Sequence, residues 1–362
     1  MTANVLAGEG VIDADSHVFE PDEMYTLHAD AEDRALVRAR PDYGLLEGGR
    51  PLGGDPGGAT PVRPTEKPGT EPAGGYDPAA RLRDMERQSI AKMVCFPSVV
   101  TSLCREPLEV EVAMLSAYNN WIERFCEEAP GRLYAPIVVT LRAMDRAVRE
   151  VRRRAVLPMF VGVTIHTHAP ERNLDDPFFD PLWNAAQDSD LPILVHSGTA
   201  RPPYPLGTFE LSDNFFLFHL LHHPSEQMRA LAALTGGGVL ERFPRLRFGF
   251  FEAGCGWVPW FVQRLSEHHA ALPAFVPRLR RDPAEYVSDG RCFFSCDPDE
   301  VGMEHFIATL GEDCLLYASD YPHWDCAFPD SARSIAERTS LPPSARRKIL
   351  RENALRLYRK LL

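Results

Sequence analysis

Residues 11–21 read VIDADSHVFEP, a short apolar start with Asp13, Asp15 and His17 at alternate positions behind it. In an extended chain alternate side chains share a face, so Asp15 and His17 would point the same way. The eleven residues leave two readings open. They could end a strand that presents metal ligands, or form an acidic turn with one incidental histidine. The choice rests on what the rest of the chain brings to the same place.

Seven further apolar runs of strand length follow, at 92–98, 133–139, 160–167, 191–198, 247–254, 292–297 and 315–322. They are nearly continuous rather than alternating, which suits strands buried on both faces of a parallel sheet. Segments with helical patterning lie between them, among them LEVEVAMLSAYNNWIERFCEEA, DPFFDPLWNAAQDSD and WVPWFVQRLSEHHA. The closing SARRKILRENALRLYRKLL puts a serine in N-cap position ahead of apolar residues at helical spacing. Eight strands alternating with helices predict an α/β fold, a (β/α)8 TIM barrel, with a doubly wound open sheet as the alternative.

Two connections are longer than a βα loop needs. In 41–78, after the first strand, 18 of 38 residues are glycine or proline, which no helix or central strand tolerates. It is read as a lid or flap at the C-terminal face, or as an insertion without a role. Residues 199–243, between strands five and six, contain the apolar NFFLFHLLHHPSEQMRALAAL. This segment is read as a helix pair that roofs the site or makes a subunit contact. With no repeat and no linker, 1–362 is read as one domain with two insertions.

The chain has 362 residues, 44% of them hydrophobic, and a net charge of −12. No basic stripe is available for nucleic acid; RAVREVRRRAV at 146–156 has the spacing of a solvated helix face. No signal-peptide pattern and no run of 18 apolar residues occurs, so no membrane span is expected. Eight cysteines without CxxC spacing read as buried, reduced thiols of a cytoplasmic protein.

In a barrel the chemistry lies at the C-terminal strand ends. Asp15 and His17 end the first strand, with Glu20 just after. His166 and His168 end the fourth, His196 the fifth, Glu252 the sixth, Asp297 the seventh and Asp320 the eighth. Imidazoles and carboxylates converging from several strands suit a divalent metal with an open position. Each has a plainer reading: a turn or cap for Asp15 and His17, a hydrogen-bonded core histidine for His196, and a turn before Pro322 for Asp320. His166 and His168 read as ligands, substrate contacts or packing, and His222 and His223 as residues at a helix end. Asp13 is assigned to supporting hydrogen bonds, and Glu20-Pro21-Asp22 to an acidic turn.

The chain resembles the amidohydrolase superfamily, in the branch containing aminocarboxymuconate semialdehyde decarboxylase and aromatic-acid decarboxylases. The residues that carry the resemblance are IDADSHVFEP, DPAARLRDMERQSIAKMVCFPS, DPFFDPLWNAAQDSDLPILVHSG, GGVLERFPRLRFGFFEAGCGWVPW, LLYASDYPH and ENALRLY, in order along nearly the whole chain. It implies a distorted (β/α)8 barrel and one divalent metal ion, Zn2+ or Mn2+. By position it makes Asp15, His17, His196 and Asp320 the metal ligands, with Asp320 also moving a proton. Two departures stand out. The first strand has Asp-x-His where many relatives have His-x-His. The sixth-strand histidine of relatives falls at Ala253, so Glu252, His222 or His223 would have to replace it.

The expected function is non-oxidative decarboxylation of a small aromatic or conjugated carboxylic acid. The alternatives are metal-dependent hydrolysis of an amide, lactone or ester, and a catalytically inactive binding barrel. Arg172, Arg201 and His168 are the candidate substrate contacts, and a homodimer through the 214–234 region is expected, as in many relatives.

Overall fold

Eight strands form, each within a few residues of its apolar run: β1 Val11–Val18, β2 Ile90–Pro97, β3 Leu133–Val138, β4 Phe160–Ile165, β5 Ile193–His196, β6 Phe248–Phe251, β7 Cys292–Cys296 and β8 Leu315–Tyr317. The structure is a computed structural model, and it describes residues 10–21, 23–37, 72–98, 100–197, 215–323 and 325–362. Every strand runs parallel to its successor, in the order β1 to β8.

Helices make the crossovers: α1 Pro78–Gln88, α2 Leu108–Glu127, α3 Met144–Arg154, α4 Asp180–Asp188, α5 Phe215–Gly236, α6 Val258–Ala271 and α7 Met303–Leu310. The last, α8, consists of Pro343–Arg347, a π-helical turn Lys348–Glu352 and Asn353–Leu357. This is the expected barrel. The open-sheet alternative fails because sequential strand order brings β8 back to β1.

That closure is made by a short seam. The backbone N–H of His17 donates to the Tyr321 carbonyl at 2.7 Å, and that of Asp320 to the Asp15 carbonyl at 3.1 Å. Below these bonds the Asp13 carboxylate accepts from the Ser319 N–H at 3.0 Å and from its hydroxyl at 2.5 Å. Asp13 thus has the supporting part expected of it. The register of β1 on β2 shifts between Asp13 and Ser16, where three residues oppose two. Such a bulge resets which side chains face inward. Beyond it, His17 pairs with Phe96, whose ring lies in the barrel interior.

Ile12, Val94, Leu194, Phe293 and Leu316 fill that interior, continuous with Leu357, Tyr358 and Leu361 at the C-terminus. The end of the chain plugs the barrel opposite the site. Tyr358 donates to the Ala14 carbonyl at 2.8 Å, and Lys360 binds the carbonyls of Ala155, Leu157 and Phe160. A larger cluster packs the helices on the outside of the strands.

Several local expectations need correction. Most of the 41–78 segment lies outside the described residues. Its end is ordered: Ala73–Gly75 forms a turn, and Asp77 caps α1 by accepting from the Ala79 N–H at 2.9 Å. The 199–243 segment contains the crossover helix itself: α5, with Ala230, Leu231 and Leu234 buried, followed by a short helix Val239–Arg242. His222 and His223 are inside α5, which continues through Pro224. Proline removes the bond to the carbonyl four residues back, and that residue, Leu220, is exposed. Ser344 is not the cap of α8. The helix begins at Pro343, and the Ser344 hydroxyl binds Glu312 at 3.0 Å. Glu20, read as part of an acidic turn, is buried and accepts from the Val100 N–H at 3.3 Å.

Arg81 ties these parts together. It is fully buried, and its guanidinium donates to the Gly74 carbonyl at 2.6 Å, to Ser16 Oγ at 3.2 Å and to the His17 carbonyl. It also lies over the Tyr321 ring, 4.9 Å from its centroid. Arg81→Met would strand these acceptors and remove the buried cation near Asp13. We expect a loss of about 3–5 kcal/mol in stability, measured by urea unfolding.

Candidate metal centre and active site

Asp15, His17 and His196 meet at the C-terminal mouth of the barrel. Asp15 lies 3.6 Å from His17 Nε2 through Oδ1 and 3.8 Å from His196 Nε2 through Oδ2. The rings are fixed from behind. His17 Nδ1 sits 3.0 Å from the Pro97 carbonyl, and His196 Nδ1 sits 2.7 Å from the Ser197 carbonyl. A carbonyl only accepts, so each Nδ1 carries the hydrogen and each Nε2 keeps its lone pair.

His17 Nε2, His196 Nε2 and Asp15 Oδ1 are buried and have no hydrogen-bond partner. Buried polar atoms are normally satisfied, and three unsatisfied donors of this type converging on one point fit a divalent cation. One ligand atom from each residue lies within 4.8 Å of the others.

The electrostatics agree. Burial, reinforced by Asp320 and Asp13, holds Asp15 well above the usual carboxylate range. Burial drives His17 well down and His196 down to about 4, so both rings stay neutral at physiological pH. Neutral imidazoles and a carboxylate whose charge lacks compensation are the forms a cation stabilises.

Asp320 and Glu252 complete the mouth. Asp320 Oδ1 is 3.3 Å from His17 Nε2 and 2.8 Å from His323 Nδ1. Glu252 follows β6, with Oε2 3.3 Å from His196 Nδ1 and 3.7 Å from His223 Nδ1, and Oε1 4.0 Å from His323 Nδ1. Both acids have left-handed backbone, φ 55° at Asp320 and 60° at Glu252. Non-glycine residues rarely hold that conformation, and it concentrates at functional sites. His223 Nδ1 lies 2.8 Å from Ser197 Oγ, which also donates to the Glu252 carbonyl at 3.2 Å.

Other expected residues lie elsewhere. His222 is buried 3.2 Å from Glu226 Oε1, one turn along α5. His168 is also buried, its Nδ1 3.0 Å from Thr167 Oγ1, and burial pushes it down to about 3. Its sequence neighbour His166 lines the cavity beside His196, with Pro97, Val138, Val139, Thr164 and Ile165. The Arg172 guanidinium is at the surface, 2.7 Å from Asp176 and over the Phe178 ring. Arg201 lies outside the described residues. His323 and Ser98, by contrast, were not singled out from sequence. The SDYPH spacing was a usable signal, because a histidine three residues past Asp320 can fold back in a turn.

A family model described as Amidohydrolase matches residues 12–360. A 2-amino-3-carboxymuconate-6-semialdehyde decarboxylase from Dictyostelium discoideum is 22% identical over 250 residues, which are 68% of this chain and 67% of that protein. An amidohydrolase from Mycobacterium avium subsp. paratuberculosis K-10 superposes with a TM-score of 0.75 at 22% identity, covering 96% of this chain and 97% of that one. A 5-carboxyvanillate decarboxylase from Novosphingobium aromaticivorans, complexed with manganese and 4-hydroxy-3-methoxy-5-nitrobenzoic acid, gives 0.73 at 19% identity, with 96% of each chain covered. At these identities the superpositions speak to the fold alone.

Glu226, beside the mouth, provides a test of the electrostatics. It accepts from Thr167 Oγ1 at 2.8 Å, and burial pushes it up to about 8 from 4.5. Between those values the folded chain holds a proton that the unfolded chain has released, so stability falls as pH rises through that window. Glu226→Gln does not titrate. Its melting temperature is expected to fall less than the wild type's between pH 5.5 and pH 8, as read by thermal unfolding at each pH.

Proposed function

The chain belongs to the amidohydrolase family, and from that premise we propose a metal-dependent decarboxylase of a small aromatic or conjugated carboxylic acid. The observation that carries this reading is the convergence of three buried, unsatisfied ligand atoms on Asp15, His17 and His196. With Asp320 they form the proposed ligand set. Mn2+ is favoured over Zn2+ by the two carboxylates in that set and by the manganese in the 5-carboxyvanillate decarboxylase.

When bound, the ion supplies Lewis acidity toward the substrate carboxylate and a neighbouring oxygen. The chain's own residues do the rest. His17 and His196, locked by the Pro97 and Ser197 carbonyls, keep their lone pairs aimed at one point. The apolar wall of Pro97, Val138, Val139 and Ile165 holds the unreactive body of the substrate and keeps water from it. Asp320, protonated at that stage, gives its proton to the carbon whose bond to the carboxylate breaks. That carbon retains the bonding electron pair, carbon dioxide leaves, and Asp320 becomes a carboxylate. Glu252 supplies an acid–base group at the end of β6, in place of the histidine that the family resemblance implies there, and His223 and Ser197 hold it in place.

Decarboxylation is favoured over hydrolysis by the decarboxylases among the chain's relatives. A cytoplasmic location is supported by eight free cysteines, seven of them buried. Among the described residues no helix is long and apolar enough to cross a membrane. Phe216, 71% exposed on α5, and Leu220 support the homodimer contact proposed for that helix.

The test is metal analysis of protein purified without chelator, followed by a panel of hydroxybenzoates, muconates and lactones. We expect about one equivalent of Mn2+ or Zn2+ per chain and carbon dioxide release from a carboxylated aromatic or muconate. His196→Ala and Asp320→Asn should each lower metal content and reduce turnover by at least ~100-fold. Acid formation from a lactone, with no carbon dioxide from any acid, would replace the lyase with a hydrolase. Protein that never retains metal would sink the whole reading.

A further inference from the structure

The eighth-strand aspartate is held from two sides. Its backbone N–H donates across the seam to the Asp15 carbonyl, and its side chain meets His323, which a turn folds back onto it. The His323 N–H donates to the Asp320 carbonyl at 2.9 Å, and His323 Nδ1 lies 2.8 Å from Asp320 Oδ1. On the far side of the ring, Nε2 is 3.2 Å from Ser98 Oγ, one residue past the end of β2. The ring packs on His17, with centroids 4.1 Å apart and planes 31° apart, and is 8% exposed.

An ionised carboxylate only accepts, so Nδ1 donates to Asp320 and Nε2 accepts from the Ser98 hydroxyl. The Asp320 carboxylate therefore fixes the tautomer of His323, and the Ser98 hydroxyl holds the far side of the ring in place. Glu252, the other acid facing this ring, is 4.0 Å away, too far for a direct hydrogen bond.

We infer that His323 is the positioning residue of Asp320. The bond from its Nδ1 holds Oδ1, the oxygen 3.3 Å from His17 Nε2, toward the ligand set. The inference rests on the proposed role of Asp320 as ligand and proton carrier. An alternative role for the same ring is direct ligation, since His323 also clusters with His17, Glu252 and Asp320 within 4.8 Å. The double variant separates the two roles: loss of a second ligand adds to the loss in Asp320→Asn, whereas loss of a group that acts through Asp320 does not. Asparagine tests the hydrogen bond itself, because its amide can donate from nearly the position of Nδ1.

The experiment is Mn2+ titration of the metal-stripped full chain, followed by electron paramagnetic resonance. The variants are His323→Phe, His323→Asn, Ser98→Ala, Asp320→Asn and the Asp320→Asn/His323→Phe double. His323→Phe should weaken Mn2+ binding about 10–100-fold and change the spectrum of the bound ion. His323→Asn should recover affinity to within about threefold of wild type, and the double variant should bind no more weakly than Asp320→Asn alone. Ser98→Ala should produce a smaller loss in the same direction.

Wild-type affinity and spectrum in His323→Phe, with loss in Asp320→Asn, would overturn the inference and leave the ligand set standing. Failure of His323→Asn to rescue, or additive losses in the double variant, would also overturn it. Wild-type binding by Asp320→Asn would overturn the ligand assignment, and the inference with it.

Discussion

The seam between β1 and β8 is the constraint on which this molecule depends. Every other strand pair is joined by a parallel ladder of backbone bonds. Here two backbone bonds and one buried carboxylate close the barrel, with Asp13 taking both the N–H and the hydroxyl of Ser319. The same few residues supply the proposed site: Asp15 and His17 on one side of the seam, Asp320 and His323 on the other. A slip of one residue would turn these side chains away from the mouth. The bulge in β1 and the grip of Arg81 on the His17 carbonyl set the register that brings them together.

Concentrating acids at that seam has a cost, which the surroundings offset unevenly. Asp13 is pushed up to about 7 by burial, against its bonds to Ser319 and the positive charge of Arg81. Asp15 has no such hydrogen bonds to its Oδ1, and burial with the charges of Asp320 and Asp13 holds it well above the usual carboxylate range. The contrast separates two roles. A structural acid has its bonds made by the protein. An acid left with an unsatisfied oxygen between two imidazole lone pairs is one that a divalent cation would satisfy, meeting all three atoms at once.

The eight strands, their order and the convergence of Asp15, His17, His196 and Asp320 were legible in the sequence because each follows from a local rule. Apolar runs mark buried strands, and the barrel brings strand ends together. Residues whose roles depend on side-chain direction were less legible. His166 and His168 differ by two positions, yet one lines the cavity and the other packs against Thr167. Nothing in THTH-like spacing separates them, because past the end of β4 the alternation of a strand no longer governs direction. Arg172 was placed near a strand end by sequence distance, but a nearby carboxylate, Asp176, holds it at the surface. His222 was lost to the site because α5 runs through Pro224 and turns that ring toward Glu226, one helical turn on.

The groups gathered around Glu252 show why the fold is a poor guide to individual roles. At about 20% identity the relatives share the barrel, and the barrel specifies only that polar groups at strand ends will meet. It does not specify which strand supplies which group. Around this mouth Glu252 arrives from β6, His323 from beyond β8, and His223 from α5, with His223 3.7 Å and His323 4.0 Å from the Glu252 carboxylate. An imidazole can therefore reach this mouth from more than one element, provided something fixes its orientation. Ser98 does so for His323, and Ser197 does so for His223. The hydroxyls at the ends of β2 and β5 are thus part of what decides which proton-bearing groups this barrel can use.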